Sequence, residues 1–337
     1  MMFSSNPWKV SEYGWHPENM LLSESITSIA NGYMGMRGNF EEDYAGRTHQ
    51  GTYLGGVWFP DKTRVGWWKN GYPSYFGKMI NAANLIGLHV TVNGELLDLT
   101  RVAVWDFTRE VDMHTGVFHR KVMLDMTDGT VTLEAWRFVS LATQELLAIR
   151  YTLTPTFEAK IELEPYLDGH VRDEGANYEE MFWEMQSGKS EDGIGLIQTR
   201  TRENPFHAPR FTICAAQKCS VSGLELVDEA GIPGYCASRY AGTIPSGTTM
   251  TMDKMVYVVT DRDHEASALQ ALAVEGVRKA SEHGWQCELD RQVQAWEQRW
   301  KMADVQIEGD DGAQQGIRFN LFQMLSTYSG EDARLNI

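Results

Sequence analysis

The chain has 337 residues, which is enough for two compact domains or for one large domain with an appendage. Its 46 acidic residues outnumber its 30 basic residues, so the formal charge of −16 repels nucleic-acid backbones and anionic lipid surfaces. Composition therefore argues against nucleic acid and membranes as partners, and it leaves enzymes and binding modules open.

The first ten residues lack the pattern of a secretion signal, because Asn6, Pro7 and Trp8 stand where a basic start and an apolar run are needed. The sequence also lacks an apolar run near the roughly 20 residues of a membrane-spanning helix. Its cysteines match no disulfide framework, zinc ribbon or redox pair: Cys214, Cys219, Cys236 and Cys287. We therefore expect buried free thiols in a soluble, cytoplasmic protein.

Residues 32–38 are rich in glycine, in the order Gly-Tyr-Met-Gly-Met-Arg-Gly. The spacing is GxxGxxG, and it lacks the preceding apolar strand and the following helix of a nucleotide-binding loop. Glycines that permit a tight connection between strands explain the pattern better.

Two acidic clusters contain enough carboxylates for glycoside chemistry, which needs a pair of carboxyl groups around the bond. The first is residues 41–43, and the second consists of Glu179, Glu180 and Glu184. Surface carboxylates are common in an acidic protein, so neither cluster is predicted to be catalytic.

Residues 52–76 combine aromatic side chains with hydrogen-bonding groups and with turn-forming glycine and proline. Aromatic rings stack on the C–H faces of sugars while amide and charged groups bind hydroxyls, so this segment predicts a saccharide contact. The alternative is that the aromatics plug the sandwich or contact a neighbouring domain. The candidate substrate-binding residues are Trp58, Trp67, Trp68, Lys69, Asn70 and Tyr72.

Short apolar runs closed by turn dipeptides dominate residues 1–262, which predicts a mainly β domain. Asn93-Gly94 and Asp128-Gly129 each predict a two-residue hairpin turn, because Asn/Asp-Gly accepts the positive φ of a type I′ turn. Residues 130–138 alternate polar and apolar side chains, as a strand with one buried face does. Further predicted strands cover residues 146–153, 161–167, 211–216 and 255–260. So many short antiparallel strands favour a large sandwich.

After Asp261 the apolar period changes from 2 to 3.6, which predicts helices. The first runs from residue 263 to about 280 and places Leu269, Leu272, Ala273 and Val277 on one face. Residues 281–284 interrupt it.

A second helix carries a stripe that includes three tryptophans, with Glu288 elsewhere on its surface. The stripe consists of Trp285, Leu289, Val293, Trp296 and Trp300. Such a stripe predicts a linker helix anchored against something large.

A third helix is predicted after the capping candidates Asp310 and Asp311. Its apolar stripe consists of Ile317, Leu321, Met324, Leu325 and Tyr328. One such helix has no evident core of its own, so we expect it to begin a further domain.

The nine histidines are scattered without HExxH or other metal-ligand spacing; among them are His16, His49, His89, His114, His119, His170 and His207. Serine and cysteine nucleophiles lack a signature such as GxSxG. We therefore predict no metal site, no cofactor and no catalytic residue.

Three stretches together resemble the disaccharide phosphorylases of glycoside hydrolase family 65. They are residues 24–42, residues 51–72 with the run PDKTRVGWWKNGYP, and residues 308–337. The run WWKNGYP is most similar to the maltose-acting members of the family. The resemblance covers nearly the whole chain.

The resemblance implies a β-super-sandwich at residues 1–262, a helical linker at 263–305 and the start of an (α/α)6 barrel at 306–337. In such enzymes one glutamic acid protonates the glycosidic oxygen while phosphate attacks the anomeric carbon with inversion. The products are β-glucose 1-phosphate and a hexose, and maltose is the favoured disaccharide. Because phosphate is already a nucleophile, the base of an inverting hydrolase is unnecessary.

The family's catalytic acid and phosphate-binding residues follow the Asp-Ala-Arg-Leu-Asn-Ile stretch, beyond these 337 residues. We therefore expect a non-catalytic N-terminal part that is inactive alone, and the resemblance implies a homodimer. Two alternatives remain open: a self-sufficient carbohydrate-binding or interaction module, and part of a family hydrolase such as an acid trehalase.

Overall fold

The computed structural model describes residues 3–63, 71–173, 181–330 and 332–335. Strands dominate the first three quarters of the chain, and two longer helices follow them. In chain order the strands are β1 (Phe3–Asn6), β2 (Lys9–Tyr13), β3 (Ile29–Ala30), β4 (Met34–Met36), β5 (Thr52–Leu54), β6 (Trp58–Lys62), β7 (Tyr75–Met79), β8 (Leu88–Val92), β9 (Glu95–Leu96), β10 (Ala103–Asp112), β11 (Val117–Met126), β12 (Gly129–Val139), β13 (Leu146–Pro155), β14 (Ala159–Asp168), β15 (Trp183–Glu191), β16 (Ile194–Thr201), β17 (Thr212–Val221), β18 (Glu225–Ile232), β19 (Tyr235–Ile244) and β20 (Met250–Thr260). The helices are α1 (Met20–Ile26), α2 (Leu269–Ala303) and α3 (Asp311–Thr327).

Two antiparallel sheets face each other. In the described residues the larger has ten strands in the order β1-β2-β10-β11-β12-β13-β20-β17-β16-β15, and the smaller has five in the order β18-β19-β14-β8-β9. Leu133 of β12, Leu163 of β14 and Met252 of β20 meet in one buried cluster between the sheets. This arrangement confirms the predicted mainly β, antiparallel super-sandwich.

The period-2 pattern decides which side chains enter that core. Along β12, Val131, Leu133 and Ala135 are fully buried while Thr132 and Glu134 between them are only partly buried. The four predicted apolar strands are confirmed as parts of β13, β14, β17 and β20.

The two predicted hairpins both form, but only one has the predicted turn. Asn93 (φ 52°) and Gly94 (φ 82°) join β8 to β9 with the positive φ angles of a type I′ turn. In the second hairpin Met126 pairs with Gly129, so the connecting residues are Thr127 and Asp128. The prediction of Asp128-Gly129 as the turn was one residue out, since Gly129 (φ 146°) already belongs to β12.

Helix α2 covers the outer face of the ten-stranded sheet with its first half. Ala273 and Val277 pack on the sheet, and a Cβ added at Gly276 would lie 2.5 Å from the ring of Tyr257. The predicted interruption is a kink at Gly284 (φ 76°, ψ 166°), which non-glycine residues rarely adopt. The prediction that Leu272 faces the sheet was wrong, since its side chain is exposed.

The tryptophan stripe on the second half of α2 is confirmed as an anchor. Trp285, Trp296 and Trp300 are all buried, and the Trp300 Nε1 donates to the Met113 carbonyl oxygen at 2.8 Å. Replacing such a buried indole by alanine costs about 3–5 kcal/mol. Glu288 is also buried, contrary to its predicted surface position, because His283 and Arg291 bind its carboxylate.

Helix α3 begins as predicted, with the Asp310 side chain accepting a hydrogen bond from the Ala313 N–H at 2.9 Å. Its buried face differs from the predicted stripe, and Met324 is exposed. The face consists of Gln314, Arg318, Phe322 and Ser326. Phe322 stacks on Trp296 with 4.9 Å between ring centroids, so α3 shares a core with α2 and the sandwich.

Candidate functional site

The predicted saccharide-contacting segment forms a separate two-stranded ribbon. Strands β6 and β7 pair antiparallel, from Trp58 opposite Met79 to Lys62 opposite Tyr75. A two-stranded ribbon is marginally stable alone, so its position depends on what packs against it.

Aromatic packing supplies that support. Trp58 stacks nearly parallel on Tyr75 with 6.4 Å between centroids, and Trp58 also contacts Phe211 at 6.2 Å. Tyr75 contacts Phe206 at 4.6 Å, and Phe59 contacts Phe182 at 4.8 Å. The ring of Trp58 therefore helps to hold the ribbon on the loop between β16 and β17.

The outer end of the ribbon exposes aromatic surface. Tyr72 and Phe76 meet edge to face at 5.8 Å and are 44% and 47% exposed, respectively. Four of the six candidate residues, Trp67, Trp68, Lys69 and Asn70, lie outside the described residues. The described part thus brings Trp58 and Tyr72 onto the same ribbon, one packed at its base and one exposed at its tip.

A polar network fixes the chain where the ribbon ends. The Asn81 side chain accepts from the Thr52 N–H at 2.8 Å and donates to the Gln50 carbonyl oxygen at 3.1 Å. The Asn81 N–H donates to Asp173 Oδ1 at 2.9 Å, and the Trp183 Nε1 donates to the Asn81 carbonyl oxygen at 2.7 Å. Asn81 therefore ties β5, β15 and Asp173 together, a role that no local sequence motif indicates.

Burial raises the pKa of Asp173 above its usual value, although the hydrogen bond from the Asn81 N–H works in the other direction. A carboxyl group with a raised pKa beside an aromatic surface is the kind of polar group found in binding sites. Together the ribbon and its base offer stacking surfaces and hydrogen-bonding groups, which is binding chemistry.

The sequence suggested that the first acidic cluster lies on the surface, but the structure buries two of its three carboxylates. Glu41 and Glu42 are buried, and the Arg120 Nη2 lies 2.9 Å from Glu41 Oε2 and 2.6 Å from Glu42 Oε2. Arg137 also binds Glu41, and the Tyr151 hydroxyl donates to Glu42 Oε1 at 2.8 Å. Burial alone would raise the pKa of Glu41, but the charges of Arg137 and Arg120 outweigh it and lower the pKa.

The two other acidic candidates that the structure describes, Asp43 and Glu184, are also ion-paired. Asp43 binds His89 with 2.6 Å between Oδ2 and Nδ1, and this hydrogen bond raises the pKa of His89. Glu184 binds Arg210, while Glu179 and Glu180 lie outside the described residues. These carboxylates are engaged with cations, as structural carboxylates are.

Among the described residues, no three His, Cys, Asp or Glu side chains are grouped so that they could hold a metal ion. None of the helices described has both the length and the apolar character of a membrane-spanning segment. Cys214 and Cys236 are buried free thiols as predicted, Cys219 is partly buried, and Cys287 is exposed, contrary to prediction. Burial raises the pKa of both Cys214 and Cys236 to about 12, so neither is poised as a nucleophile.

Residues 10–299 match the family model "Glycosyl hydrolase family 65, N-terminal domain". The chain is 44% identical over its full length to a maltose phosphorylase of Bacillus subtilis. It is 31% identical over 98% of its length to an alpha,alpha-trehalose phosphorylase of Thermoanaerobacter brockii. In both comparisons it spans 44% of the relative's own length.

A solved structure of a proposed kojibiose phosphorylase from the human microbiome shares the fold. It superposes with a TM-score of 0.91 over 100% of this chain and 44% of that chain, at 22% sequence identity. The sandwich, the kinked α2 and α3 are therefore features of a common architecture.

Proposed function

The chain belongs to glycosyl hydrolase family 65, and from that premise we propose that it forms the N-terminal, non-catalytic part of an inverting disaccharide phosphorylase. The observation that carries the proposal is the 44% identity to a maltose phosphorylase along the whole chain. Maltose is accordingly the proposed disaccharide. Relatives named for trehalose and kojibiose are less similar, at 31% and 27% or lower identity.

In the proposed reaction a phosphate oxygen forms a bond to the anomeric carbon as the glycosidic C–O bond breaks. The leaving oxygen takes a proton from a general acid, and inversion gives β-glucose 1-phosphate and glucose from maltose. In our proposal, none of the described residues takes part in this reaction. Their role is to support a catalytic domain and to contribute the aromatic ribbon of Trp58 and Tyr72 to saccharide contact.

The proposed domain organisation follows the change in structure along the chain. Residues 1–262 form the β domain, residues 263–305 form the linker, and residues 306–337 begin the catalytic barrel. Support comes from the element bounds, because β20 ends at Thr260, α2 covers Leu269–Ala303 and α3 begins at Asp311. We also propose a cytoplasmic homodimer that needs no metal ion or other cofactor.

A chimera tests the function directly. The matching N-terminal stretch of the Bacillus subtilis maltose phosphorylase is replaced by this chain, and maltose and phosphate are added. We expect β-glucose 1-phosphate from the chimera and none from the 337-residue chain alone. The matched control is the chimera with Trp296→Ala, in which loss of the indole that contacts α3 should lower both stability and turnover.

Two outcomes would count against the proposal. Turnover by the isolated chain would contradict a non-catalytic role. A chimera that folds but does not turn over maltose would contradict the proposal that this chain supports the catalytic domain of a maltose phosphorylase.

A further inference from the structure

A groove on the far end of the linker shares no residue with the aromatic ribbon. It has a volume of about 550 Å³, within the range of small-molecule sites. Residues from the β1–β2 turn, the β10–β11 turn and the end of α2 surround it. They are Trp8, His114, Glu297, Trp300, Lys301, Asp304 and Gln306.

The aromatic wall of the groove is rigidly held. Trp8 meets Trp300 edge to face at 5.1 Å and His114 at 4.7 Å. The guanidinium carbon of Arg318 lies 3.6 Å from the centre of the Trp8 ring. Arg318 is fixed in turn by two bonds of 2.8 Å to the carboxylate of Asp304. Rings held in this way lose little freedom when a ligand binds, which favours affinity.

The polar wall offers donors and acceptors with nearly balanced charge. Glu297 and Lys301 lie four residues apart, so they project from the same face of α2. Arg318 pairs with Asp304, and the groove adds one further anion, Glu297, and one further cation, Lys301. Gln306 adds an exposed amide that both donates and accepts hydrogen bonds.

This combination selects one class of ligand. An anionic ligand such as inorganic phosphate would require an excess of cations. A purely apolar ligand would remove water from Glu297 and Lys301 without replacing its hydrogen bonds. A neutral molecule with many hydroxyls and C–H faces satisfies both walls. We propose that the groove is a saccharide-binding site, distinct from the ribbon and without a catalytic role.

The site goes beyond the proposed phosphorylase function, because it binds sugar without turning it over. Its test therefore measures binding in the 337-residue chain and not activity. Maltose is titrated by calorimetry, and hydrogen exchange is followed by mass spectrometry with and without maltose. We expect slower amide exchange in residues 110–116 and 300–307, where the groove lies.

The double variant Lys301→Ala with Gln306→Ala tests the polar wall, and both side chains are exposed, so folding should be unaffected. We expect about tenfold weaker binding and loss of the local protection from exchange. Trp105→Ala, which removes a 57% exposed tryptophan from β10, is the matched control and should bind as the parent does.

Three results would overturn the assignment: no saccharide binding at millimolar maltose, unchanged binding by the double variant, or protection from exchange confined to the ribbon. Inorganic phosphate that binds the groove in place of maltose would also reject it. Failure of the chimera to phosphorolyse maltose would leave these binding results unaffected, so the two proposals fail separately.

Discussion

Arg120 and Glu42 meet inside the β-sandwich with both side chains wholly buried and 2.6 Å between Nη2 and Oε2. Arg120 belongs to β11, and Glu42 lies in the connection between β4 and β5. The ion pair therefore fastens a long irregular segment to the large sheet from within the core.

We expect Arg120→Met to destabilise the protein by about 3–5 kcal/mol, because it leaves buried carboxylates without their cation. The measurement is the free energy of unfolding in urea. Lys279→Met is the control, since it breaks an exposed pair with Glu275 and should change stability by less than about 0.5 kcal/mol. Equal effects of the two variants would contradict a structural role for the buried pair.

The buried side chain of Lys254 should make the stability of the protein depend on pH in an unusual way. Burial lowers its pKa to about 8, and its ammonium group donates to the carbonyl oxygens of Gly87 and Tyr166. Between that pKa and the value of 10.5 without burial, the unfolded state binds more protons than the folded state. Stability contributed through Lys254 must therefore rise with pH across this window, by up to about 3 kcal/mol.

Lys254→Met removes this proton linkage. We expect the difference in unfolding free energy between parent and variant to shift in favour of the parent as pH rises from 8 to 10.5. Urea titrations at several pH values measure it. A difference that stays constant with pH would show that Lys254 titrates normally in the folded protein.

Gly284 is required by the kink in α2. Because its φ of 76° and ψ of 166° are nearly restricted to glycine, Gly284→Ala should cost about 1–3 kcal/mol. Gly316→Ala in α3 is the matched control, since a Cβ there meets only open space. That variant should stabilise α3 by about 0.5–1 kcal/mol, and thermal unfolding of both variants measures the contrast. Destabilisation by both would indicate that the kink is not the cause.

The aromatic ribbon can be tested at its two ends. Trp58→Ala should lower the unfolding free energy by about 1–3 kcal/mol, because its ring packs on Tyr75 and Phe211. Tyr72→Ala should leave stability nearly unchanged and weaken saccharide binding at the ribbon, since this ring is exposed. Calorimetric titration with maltose alongside thermal unfolding separates the two effects. Saccharide binding unaffected by Tyr72→Ala would support a packing role for the whole ribbon.

Local sequence rules predicted much of the fold correctly. Asn93-Gly94 specified its hairpin because few other dipeptides accept two positive φ angles, and the alternation along β12 specified its buried face. The same rules placed the second turn one residue too late, since it is formed by Thr127 and Asp128. They also predicted the wrong buried face for α3, because the polar side chains Gln314 and Arg318 are buried there in place of some apolar ones.

The candidate site was only partly accessible to such reasoning. Composition drew attention to residues 52–76, but it could not tell that Trp58 packs at the base of the ribbon while Tyr72 is exposed at its tip. The groove at Trp8 was missed entirely, because its walls come from segments nearly 300 residues apart. No local sequence pattern indicates that Arg318 contacts Trp8 or pairs with Asp304, because only the fold brings these residues together.

The sequence by itself determined the strand periodicity, the helix with its tryptophan stripe and the family, because each depends on residues close together in the chain. Only the tertiary structure decided that Glu41 and Glu42 are buried against Arg120, and that Lys254 is enclosed in the core. The physical reason is that a charged side chain has no local preference for the interior. Its position is set by partners that folding brings from distant strands, whose charges and hydrogen bonds offset the loss of water.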